Sequence, residues 1–244
     1  MDNRLTDFLH RLQATTTPEE AWAVATAFLG SFVGDIITYG TVDRDGMVFH
    51  TTLPDWWMEE YTEEGYAAHD HAFSHALYGD SLQPYLFGVA FDAERRDLTA
   101  DQVRLVEAAA TDVEIRTSLL FPLRSVTGTE QAGSFVVGGN LKRQEFLAGV
   151  DDCLPTLQIA ALYTHWHIQT LKRQRAIDEI RLSPREREVL LWLSKGLRTD
   201  QIAYKLGIAR VTVDLHFANG RRKLKAATRE QALAKALALN LIQP

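Results

Sequence analysis

The sequence predicts an α+β chain of two domains, an antiparallel sheet with helices on both faces followed by a small four-helix domain. Three observations support this: the order of helical and strand-like segments, a change of charge near residue 180, and a series of capped short helices at the C-terminal end. With 244 residues, 46% of them hydrophobic, the chain is long enough for one to two domains with real cores.

The first segments predict two helices and a hairpin. A short N-terminal helix is followed by a second that begins at Pro18 and carries apolar residues at helical spacing: Trp22, Ala25, Leu29 and Phe32. Segments 35–42 and 47–52 have the composition of strands, and residues 43–46 between them have hairpin chemistry.

The next segments predict a helix and a third strand. Residues 54–66 have a helical period, with Trp57 and Tyr61 on one face, glutamates largely on the other and Gly65 near the end. Residues 84–91, PYLFGVAF, are then expected to form a strand.

The remainder of this half predicts a capped helix, two strands and a long helix. Thr99 and Gln102 form a capping box before an apolar stripe of Val103, Val106, Ala110 and Val113. Strands are expected at 117–123 and 132–139, around the loop 125–130. A helix from about residue 142 to 175 follows, and its basic, polar end, 171–181, is typical of a linker. This order favours a mostly antiparallel sheet and not the βαβ alternation of a receiver domain.

The charge of the chain is divided unevenly. Residues 181–244 hold 13 Lys+Arg and 5 Asp+Glu, which leaves 13 basic and 27 acidic residues in 1–180. Net charges of +8 and −14 predict two domains with different partners, the basic one facing a polyanion. The alternative is that the basic run is simply a solvated face.

The basic part predicts four short helices. Ser183, Pro184 and Glu186 form the start of the first helix, which Gly196 ends. Thr199 is expected to cap the second helix, 200–206, which Gly207 ends. The third and fourth helices are expected at about 210–224 and 229–241.

A helix, a short turn and a helix within a basic module is the helix-turn-helix arrangement, in which the third helix here would enter the major groove of DNA. Arg221, Arg222, Lys223 and Lys225 would neutralise phosphates, and Arg210, Val211 and Asp214 at the start of the helix would face base edges. A protein-binding bundle is the alternative, but the third helix is too polar and basic for a buried element.

Residues 182–244 resemble the DNA-binding domain of LuxR-type transcription factors. Glu186, Leu190 and Gly196 match hallmark positions of that family, as do Thr212, Val213, His216, Asn219, Lys223 and Leu224. The resemblance implies DNA contacts from Arg210, Val211, Thr212, Asp214, His216, Asn219, Arg221, Arg222 and Lys223. Ala209 and Gly220 depart from the pattern. Since Gly220 costs roughly 1 kcal/mol relative to alanine, the third helix is expected to need DNA or a dimer partner to hold firm.

Residues 55–75, DWWMEEYTEEGYAAHDHAFSH, combine hydrogen-bonding groups with aromatic rings. Trp57 offers an indole N–H, Tyr61 a phenol and Asp70 an acceptor. A buried carboxylate needs a partner, so Asp70 predicts an N–H group beside it. A ligand with an amide would satisfy all three side chains.

The spacing of Trp57, Tyr61 and Asp70 is similar to that of the acyl-homoserine lactone-binding domain of the quorum-sensing LuxR-type regulators. The resemblance implies an α-β-α sandwich in which Trp57 binds the lactone carbonyl, Asp70 the amide N–H and Tyr61 the acyl carbonyl. It implies a signal-binding domain at 1–170, a linker at 171–181 and a helix-turn-helix domain at 182–244.

Several positions depart from this family. His71 replaces a proline, Phe87 replaces a tryptophan, and Glu114 and Ser118 stand where glycines are common. Ser134 is the residue expected near the acyl chain. The ligand-binding residues are therefore predicted to be Trp57, Tyr61, Asp70, Phe87 and Ser134, while an unusual acyl group, another small signal or no ligand remains open.

Other functions are less well supported by the sequence. His69, His71 and His75 suggest a metal site, but no HExxH or clustered CxxC accompanies them, so neither a metal nor a cofactor is expected. No nucleophile motif or phosphate-binding loop predicts an enzyme. A single cysteine and the absence of an apolar leader or membrane-length run predict a cytoplasmic protein with no membrane partner.

The sequence therefore predicts a ligand-responsive transcription regulator that binds an inverted-repeat DNA site as a homodimer, with RNA polymerase as a candidate partner. Dimer contacts are expected from the long helix, at Leu157, Leu162, Trp166 and Leu171. The free protein is expected to be poorly soluble or protease-sensitive. The alternative is a signal-independent or dominant-negative LuxR-type regulator with a vestigial or differently specific pocket.

Overall fold

The computed structural model describes residues 3–43, 46–79, 82–123 and 133–243. Contacts divide the chain into two units, Met1–Gln169 and Thr170–Pro244. The first contains a five-stranded antiparallel sheet with helices, and the second is helical, which confirms the predicted fold class. In the described ranges, no helix is both long and apolar enough to cross a membrane.

The helices and strands follow the predicted order with two additions, α4 and α5. The first unit begins with α1 (Asn3–Gln13), α2 (Pro18–Leu29), β1 (Ile36–Asp43), β2 (Gly46–Thr51), α3 (Asp55–Glu63), α4 (His71–Tyr78), β3 (Tyr85–Phe87), α5 (Val89–Asp92), α6 (Ala100–Asp112), β4 (Thr117–Leu123) and β5 (Gly133–Gly139). The long helix α7 (Arg143–Ile180) is followed by α8 (Pro184–Ser194), α9 (Thr199–Leu206), α10 (Arg210–Lys223) and α11 (Arg229–Ala238).

The sheet has the order β2-β1-β5-β4-β3, and each neighbouring pair is antiparallel. Because side chains alternate along a strand, each strand contributes to two faces. One face is mostly apolar and tightly buried, with Ile37, Phe121, Phe135 and Val137 in it. Helices cover this face: the Trp22 ring of α2 stacks near Phe135 with centroids 6.4 Å apart.

A buried polar contact ties α7 to the same face. The Tyr39 hydroxyl lies 2.8 Å from His165 Nδ1 and accepts from Gln169 Nε2 at 3.0 Å. Tyr39 itself is fully buried, and burial raises the pKa of its phenol well above the ordinary value. The opposite face of the sheet carries the cavity described below.

The strand predicted at 84–91 is shorter than expected. It stops at Phe87, and Gly88 turns the chain with a φ of +106° into the short helix α5. A Cβ at Gly88 would lie 2.7 Å from the Arg116 carbonyl oxygen, so the backbone can approach only at a glycine. The Asp92 carboxylate then accepts from the Gly88 N–H at 2.8 Å, which closes the turn.

Helix α4 was not predicted, because it is only eight residues long and carries four aromatic or imidazole rings that weaken helix propensity. Asp70 is its N-cap and accepts from the Phe73 N–H at 2.9 Å. The cap satisfies one of the free amides at the helix start and fixes where the chain re-enters a helix.

The segment predicted as a linker, 171–181, is helical up to Ile180. It contains no glycine or proline. Gln174 and Asp178 lie one helical turn apart, and the side-chain hydrogen bond of 3.0 Å between them supports the helix. Arg181 has a φ of +39° and ends it. Residues 44–45 of the predicted hairpin turn and the predicted loop 125–130 lie outside the described residues.

The second unit has the predicted capping box, with Ser183 and Glu186 bonding each other's backbone N–H groups. Gly196 and Gly207 end helices at positive φ, as expected. Thr199 is not the N-cap of α9 but its first helical residue. The N-cap is Arg198, whose backbone N–H donates to the Gln201 side chain. The hydroxyl of Thr199 accepts from Arg229 at 3.0 Å instead.

Candidate functional site

A cavity of about 130 Å³ lies between the second face of the sheet and helices α3, α4 and α6. The five residues predicted to bind a ligand all line it: Trp57, Tyr61, Asp70, Phe87 and Ser134. Helix α3, the N-cap of α4, the edge strand β3 and the inner strand β5 supply them. The tertiary fold thus brings together side chains up to 77 positions apart.

Tyr61 and Asp70 form the polar centre of the cavity. The Tyr61 hydroxyl donates to Asp70 Oδ2 at 2.9 Å. Burial, and secondly the neighbouring carboxylate, raises the pKa of Tyr61 far above its ordinary value. The phenol therefore keeps its proton at physiological pH and remains a hydrogen-bond donor.

Asp70 is already satisfied by its own chain, which corrects the expectation that it requires a foreign N–H. Its Oδ1 accepts from the Phe73 N–H and its Oδ2 from Tyr61. A carboxylate has about four acceptor sites, so two of them stay available for a ligand. The free protein can thus fold around Asp70, and a ligand adds to this arrangement.

Trp57 is 3% exposed and packs beside Tyr66 and Trp56. Tyr61 meets the ring of Phe49 edge to face, with centroids 6.1 Å apart. The remaining wall is mostly apolar and comes from Ile36, Leu53, Leu105, Val106, Leu120 and Val136. The cavity therefore combines one polar cluster with an extended apolar surface, which is the composition of a small-molecule site.

The sequence did not identify most of this wall. Thr38, Phe49, Phe73, Leu120 and Val136 line the cavity but were assigned no role. Residues two apart on a strand share a face, so Ser134 and Val136 together, or Ser118 and Leu120, could have been grouped by alternation. Alternation alone does not reveal which of the two faces holds a cavity.

His71 lines the cavity and belongs to a buried polar cluster at its wall. Its Nε2 lies 3.1 Å from Asp92 Oδ2 and its Nδ1 3.1 Å from the Tyr85 hydroxyl. Arg95 pairs with the other oxygen of Asp92 at 3.3 Å. His75 stacks on Tyr85 with centroids 4.2 Å apart.

This cluster gives the histidines a structural role. Both ring nitrogens of His71 already have partners, so neither is positioned as a metal ligand. Within the described ranges, no three His, Cys, Asp or Glu side chains gather in a group that could hold a metal ion.

Glu114 and Ser118, which stand where the family often has glycine, differ in their consequences. Glu114 adopts a φ of +56°, the left-handed region that favours glycine, and its backbone is therefore strained. Ser118 is fully buried and faces the cavity.

Helix α10 separates a buried face from an outer face. Val213, Phe217 and Gly220 are buried against the core of the second unit. The outer face carries the predicted DNA-contacting residues, of which Arg210, Val211, Asp214 and Arg222 are exposed and Thr212, His216, Asn219 and Arg221 are half-buried. Leu215, 57% exposed, lies on the same face and was missed by the sequence analysis.

Lys223 does not share the predicted role. Its ammonium donates to both oxygens of Glu186, at 2.7 and 3.0 Å, and to the Arg181 carbonyl at 3.2 Å. A lysine has three N–H donors, and all three are used within the unit. We therefore assign Lys223 to the stability of this unit and remove it from the candidate phosphate contacts.

Helix α10 is continuous through Gly220. The glycine lies opposite Glu186 and Leu190, where the packing of α8 supports the helix. Tertiary contacts thus compensate for the weak local propensity.

Comparison with known proteins follows the same division of the chain. Residues 17–168 match the autoinducer binding domain model, and residues 181–236 match the model of bacterial regulatory proteins of the luxR family. The transcriptional activator protein BjaR1 of Bradyrhizobium diazoefficiens is 30% identical over 98% of this chain and 96% of its own. The quorum sensing-dependent regulator RpaR of Rhodopseudomonas palustris is 30% identical over 78% of this chain and 73% of its own.

Among solved structures, Escherichia coli SdiA has the same fold, with a TM-score of 0.73 over 98% of each chain at 21% identity. The two matched models together span both units, and the full-length relative covers nearly the whole sequence. The chain therefore belongs to the luxR family of bacterial regulatory proteins, as a quorum-sensing type of transcriptional regulator with an autoinducer-binding domain and a helix-turn-helix domain.

Proposed function

We propose that this regulator binds an N-acyl-homoserine lactone in the cavity of the first unit and binds an inverted-repeat DNA site as a homodimer. The observation that carries the proposal is the Tyr61–Asp70 pair, with Trp57 beside it, inside an otherwise apolar cavity. This arrangement suits a neutral ligand with an amide near its middle and a hydrocarbon tail.

In this proposal the ligand amide N–H donates to a remaining acceptor site of Asp70, and Trp57 binds the lactone carbonyl. Tyr61 turns its hydroxyl from Asp70 to the acyl carbonyl, while Ser134 and Phe87 contact the ligand from the sheet. The exchange conserves the number of hydrogen bonds at Tyr61 and at Asp70, so the added free energy comes mainly from the tail.

The tail would supply most of the affinity. Each buried CH₂ contributes roughly 0.8 kcal/mol, so an eight-carbon chain supplies about 6 kcal/mol, compared with about 1.5–3 kcal/mol for a charge-assisted hydrogen bond at Asp70. The polar pair therefore selects the head group, and the apolar wall sets the strength of binding. A solved SdiA complex contains octanoyl-rac-glycerol, which also joins an eight-carbon acyl chain to a small polar head.

DNA binding would use the outer face of α10. Arg210 and Arg222 are exposed cations at opposite ends of the helix, and Val211 and Leu215 are exposed apolar side chains between them. Apolar side chains on a recognition helix can contact thymine methyl groups, while arginines contact phosphates or guanine. Asp214, at the same face, would accept from a cytosine amino group.

Dimer contacts would come from an exposed stripe of α7 at helical spacing. Ile159, Tyr163 and Trp166 are 39%, 42% and 48% exposed, which is unusual for large apolar side chains in one row. Leu157, expected in this interface, is fully buried within its own unit. Trp166 remains in the proposed interface, Leu162 and Leu171 are half-buried, and Ile159 and Tyr163 are additions.

The alternative function is a regulator whose cavity has no lactone ligand and which acts through DNA or protein contacts alone. The contact between His71 and the buried Asp92 is the observation that favours it, because a rigid polar cluster here replaces the proline of the family pattern. RNA polymerase remains a candidate partner in both cases.

The test is thermal unfolding of the purified chain with homoserine lactones of different acyl length and oxidation. At a free concentration of 100 times Kd, a ligand stabilises the folded state by about 2.7 kcal/mol, which raises Tm by several degrees. A shift with one member and none with its ring-opened form supports the proposal. A folded, DNA-binding protein that shows no shift with any member supports the alternative.

A further inference from the structure

We propose that Ser118 is a second polar anchor of the cavity, which donates a hydrogen bond to a neutral oxygen of the signal at the end of the cavity away from Ser134. The inference rests on the proposed lactone-type function and narrows the ligand class within it. It assigns a specificity-determining role to a residue that departs from the family pattern.

The first observation is burial without a partner. Ser118 has no exposed surface, and its Oγ has no hydrogen-bond partner among the residues that the structure describes. The neighbouring hydroxyl of Thr117, on the opposite face of the same strand, does have one, the Leu141 carbonyl oxygen at 3.2 Å. Buried hydroxyls are normally paired, so an unpaired one at a cavity wall marks a place where a bound molecule supplies the partner.

The second observation is the direction of the hydroxyl. Ser118 pairs with Phe87 on one side and Gly138 on the other, so it shares the cavity face with Phe87. A Cβ built on Gly138 would lie 2.4 Å from Ser118 Oγ. The hydroxyl thus extends over the sheet surface above Gly138, in a space that any larger residue at position 138 would fill.

The third observation is the separation of Ser118 from Ser134, the other serine that lines the cavity. The ring of Tyr61 packs on Phe49. Phe49 is opposite Gly40 of the neighbouring strand, and Gly40 is opposite Ser134 on its other side. Ser134 is opposite Pro122, four residues along β4 from Ser118. At about 3.4 Å per residue and 4.8 Å between strands, the Cα atoms of the two serines are roughly 14 Å apart.

A ligand that contacts both regions is therefore extended and carries polar atoms at two separated places. Around Ser118 the wall is apolar, with Phe87 and Ile115, so a charged group would not be solvated there. A neutral oxygen fits: either an oxygen of the lactone ring or a hydroxyl or carbonyl remote on the acyl chain. Both have the same chemistry, and the probes described below distinguish them.

The experiment measures the affinity of three probes for the full chain and for Ser118→Ala. The probes are N-octanoyl-homoserine lactone, N-octanoyl cyclopentylamide, which lacks the ring oxygens, and N-(8-hydroxyoctanoyl)-homoserine lactone. Loss of one ordinary hydrogen bond weakens binding about tenfold. A tenfold loss with both lactones but not the cyclopentylamide assigns Ser118 to the ring, and a loss with the hydroxyoctanoyl lactone alone assigns it to the tail.

The matched control is Thr117→Val, which removes a partnered hydroxyl from the other face. It should lower Tm and leave the affinity ratios of the probes unchanged. Ser118→Ala should not lower the Tm of the free protein, because no hydrogen bond is lost. If the wild-type protein and Ser118→Ala bind every probe with equal affinity, this inference is overturned and the proposed function is not. If the wild-type protein binds no probe, the proposed function fails and the inference fails with it.

Discussion

At the scale of single residues, Asp70 serves two purposes that are separable by mutation. One carboxylate oxygen caps α4 through the Phe73 N–H, and the other accepts from Tyr61 in the cavity. The cap needs only a neutral acceptor, whereas an amide ligand gains from a charged one. The position is therefore structural and functional at the same time.

Asp70→Asn separates the two purposes. Asparagine is as good an N-cap as aspartate, so the free energy of unfolding should change by less than about 1 kcal/mol. Lactone affinity should fall roughly 10- to 100-fold, because a charge-assisted hydrogen bond of about 1.5–3 kcal/mol is lost. Urea unfolding and ligand titration measure the two effects.

Asp70→Ala is the control for this prediction, because it loses the cap as well and should unfold more readily. Unchanged lactone affinity in Asp70→Asn would exclude the carboxylate as the ligand's anchor.

At the scale of the helix, Gly220 and Gly207 have opposite requirements. A Cβ at Gly220 would lie 3.9 Å from side-chain atoms of Glu186 and Leu190, which is ordinary van der Waals contact. Gly207 ends α9 at a φ of +64° with open space around it. The first glycine is a local weakness, and the second is a conformational necessity.

Gly220→Ala should therefore stabilise the second unit by about 1 kcal/mol, since alanine is favoured over glycine in a helix interior by that amount. Gly207→Ala, in the same unit, should destabilise it by about 1 kcal/mol, because an L side chain is strained at positive φ. Urea unfolding of both variants checks the signs. A destabilising Gly220→Ala would show that the approach of α10 to α8 is tighter than the contacts indicate.

An ion pair between Glu186 and Lys223 joins helices α8 and α10. The Glu186 side chain is 5% exposed and the Lys223 side chain 32%. Burial by itself raises the pKa of Glu186, but the hydrogen bonds from Lys223 and the Ser183 backbone outweigh it and hold the pKa below the ordinary 4.5. A carboxyl with a lowered folded pKa stabilises the protein above its unfolded pKa. That contribution is lost as the pH falls through the lower folded value.

Glu186→Gln keeps an acceptor for the capping box but removes the charge, and should cost about 2 kcal/mol of unfolding free energy at pH 7. The difference from the wild type should shrink as the pH falls below about 4.5 and the wild-type carboxyl becomes protonated. Denaturant unfolding between pH 7 and 3 measures it.

Glu188→Gln is the matched control, because the Arg185–Glu188 pair is exposed and should contribute less than about 0.5 kcal/mol. A constant difference at all pH values would indicate that the effect of Glu186→Gln comes from packing.

At the scale of the whole molecule, the two units divide the chemistry between them. The C-terminal residues 181–244 carry a net +8 and the remainder a net −14. The cavity of the first unit is largely apolar, and its polar centre is half-buried. Salt should therefore affect the two binding events very differently.

Raising the salt from 50 to 200 mM should weaken binding to a selected DNA duplex by about 10³- to 10⁵-fold, if 6–10 phosphates are neutralised. Lactone affinity should change less than about twofold over the same range, because the ligand carries no net charge. Fluorescence anisotropy for DNA and calorimetry for the lactone make the comparison. Arg222→Gln should lower the salt slope by about one, whereas Lys223→Gln should instead destabilise the unit. Parallel salt effects on both ligands would contradict this division.

The sequence by itself determined the features that depend on nearby residues. The capping boxes at Thr99 and Ser183 were predictable because their partners lie three residues away, and the antiparallel sheet and helix order followed from periodicity. The residues Trp57, Tyr61 and Asp70 were identified from the same short segment. The charge division was readable because it is a property of composition.

Only the tertiary structure decided what depends on distant partners. Lys223 pairs with Glu186, which lies 37 positions away in the sequence, and His71 pairs with Asp92, which lies 21 positions away. The end of β3 at Gly88 depends on the close approach of the Arg116 carbonyl, which no local pattern contains. Whether a buried hydroxyl such as Ser118 has a partner is likewise undetermined by sequence, because hydrogen bonds between strands are set by register and not by residue type.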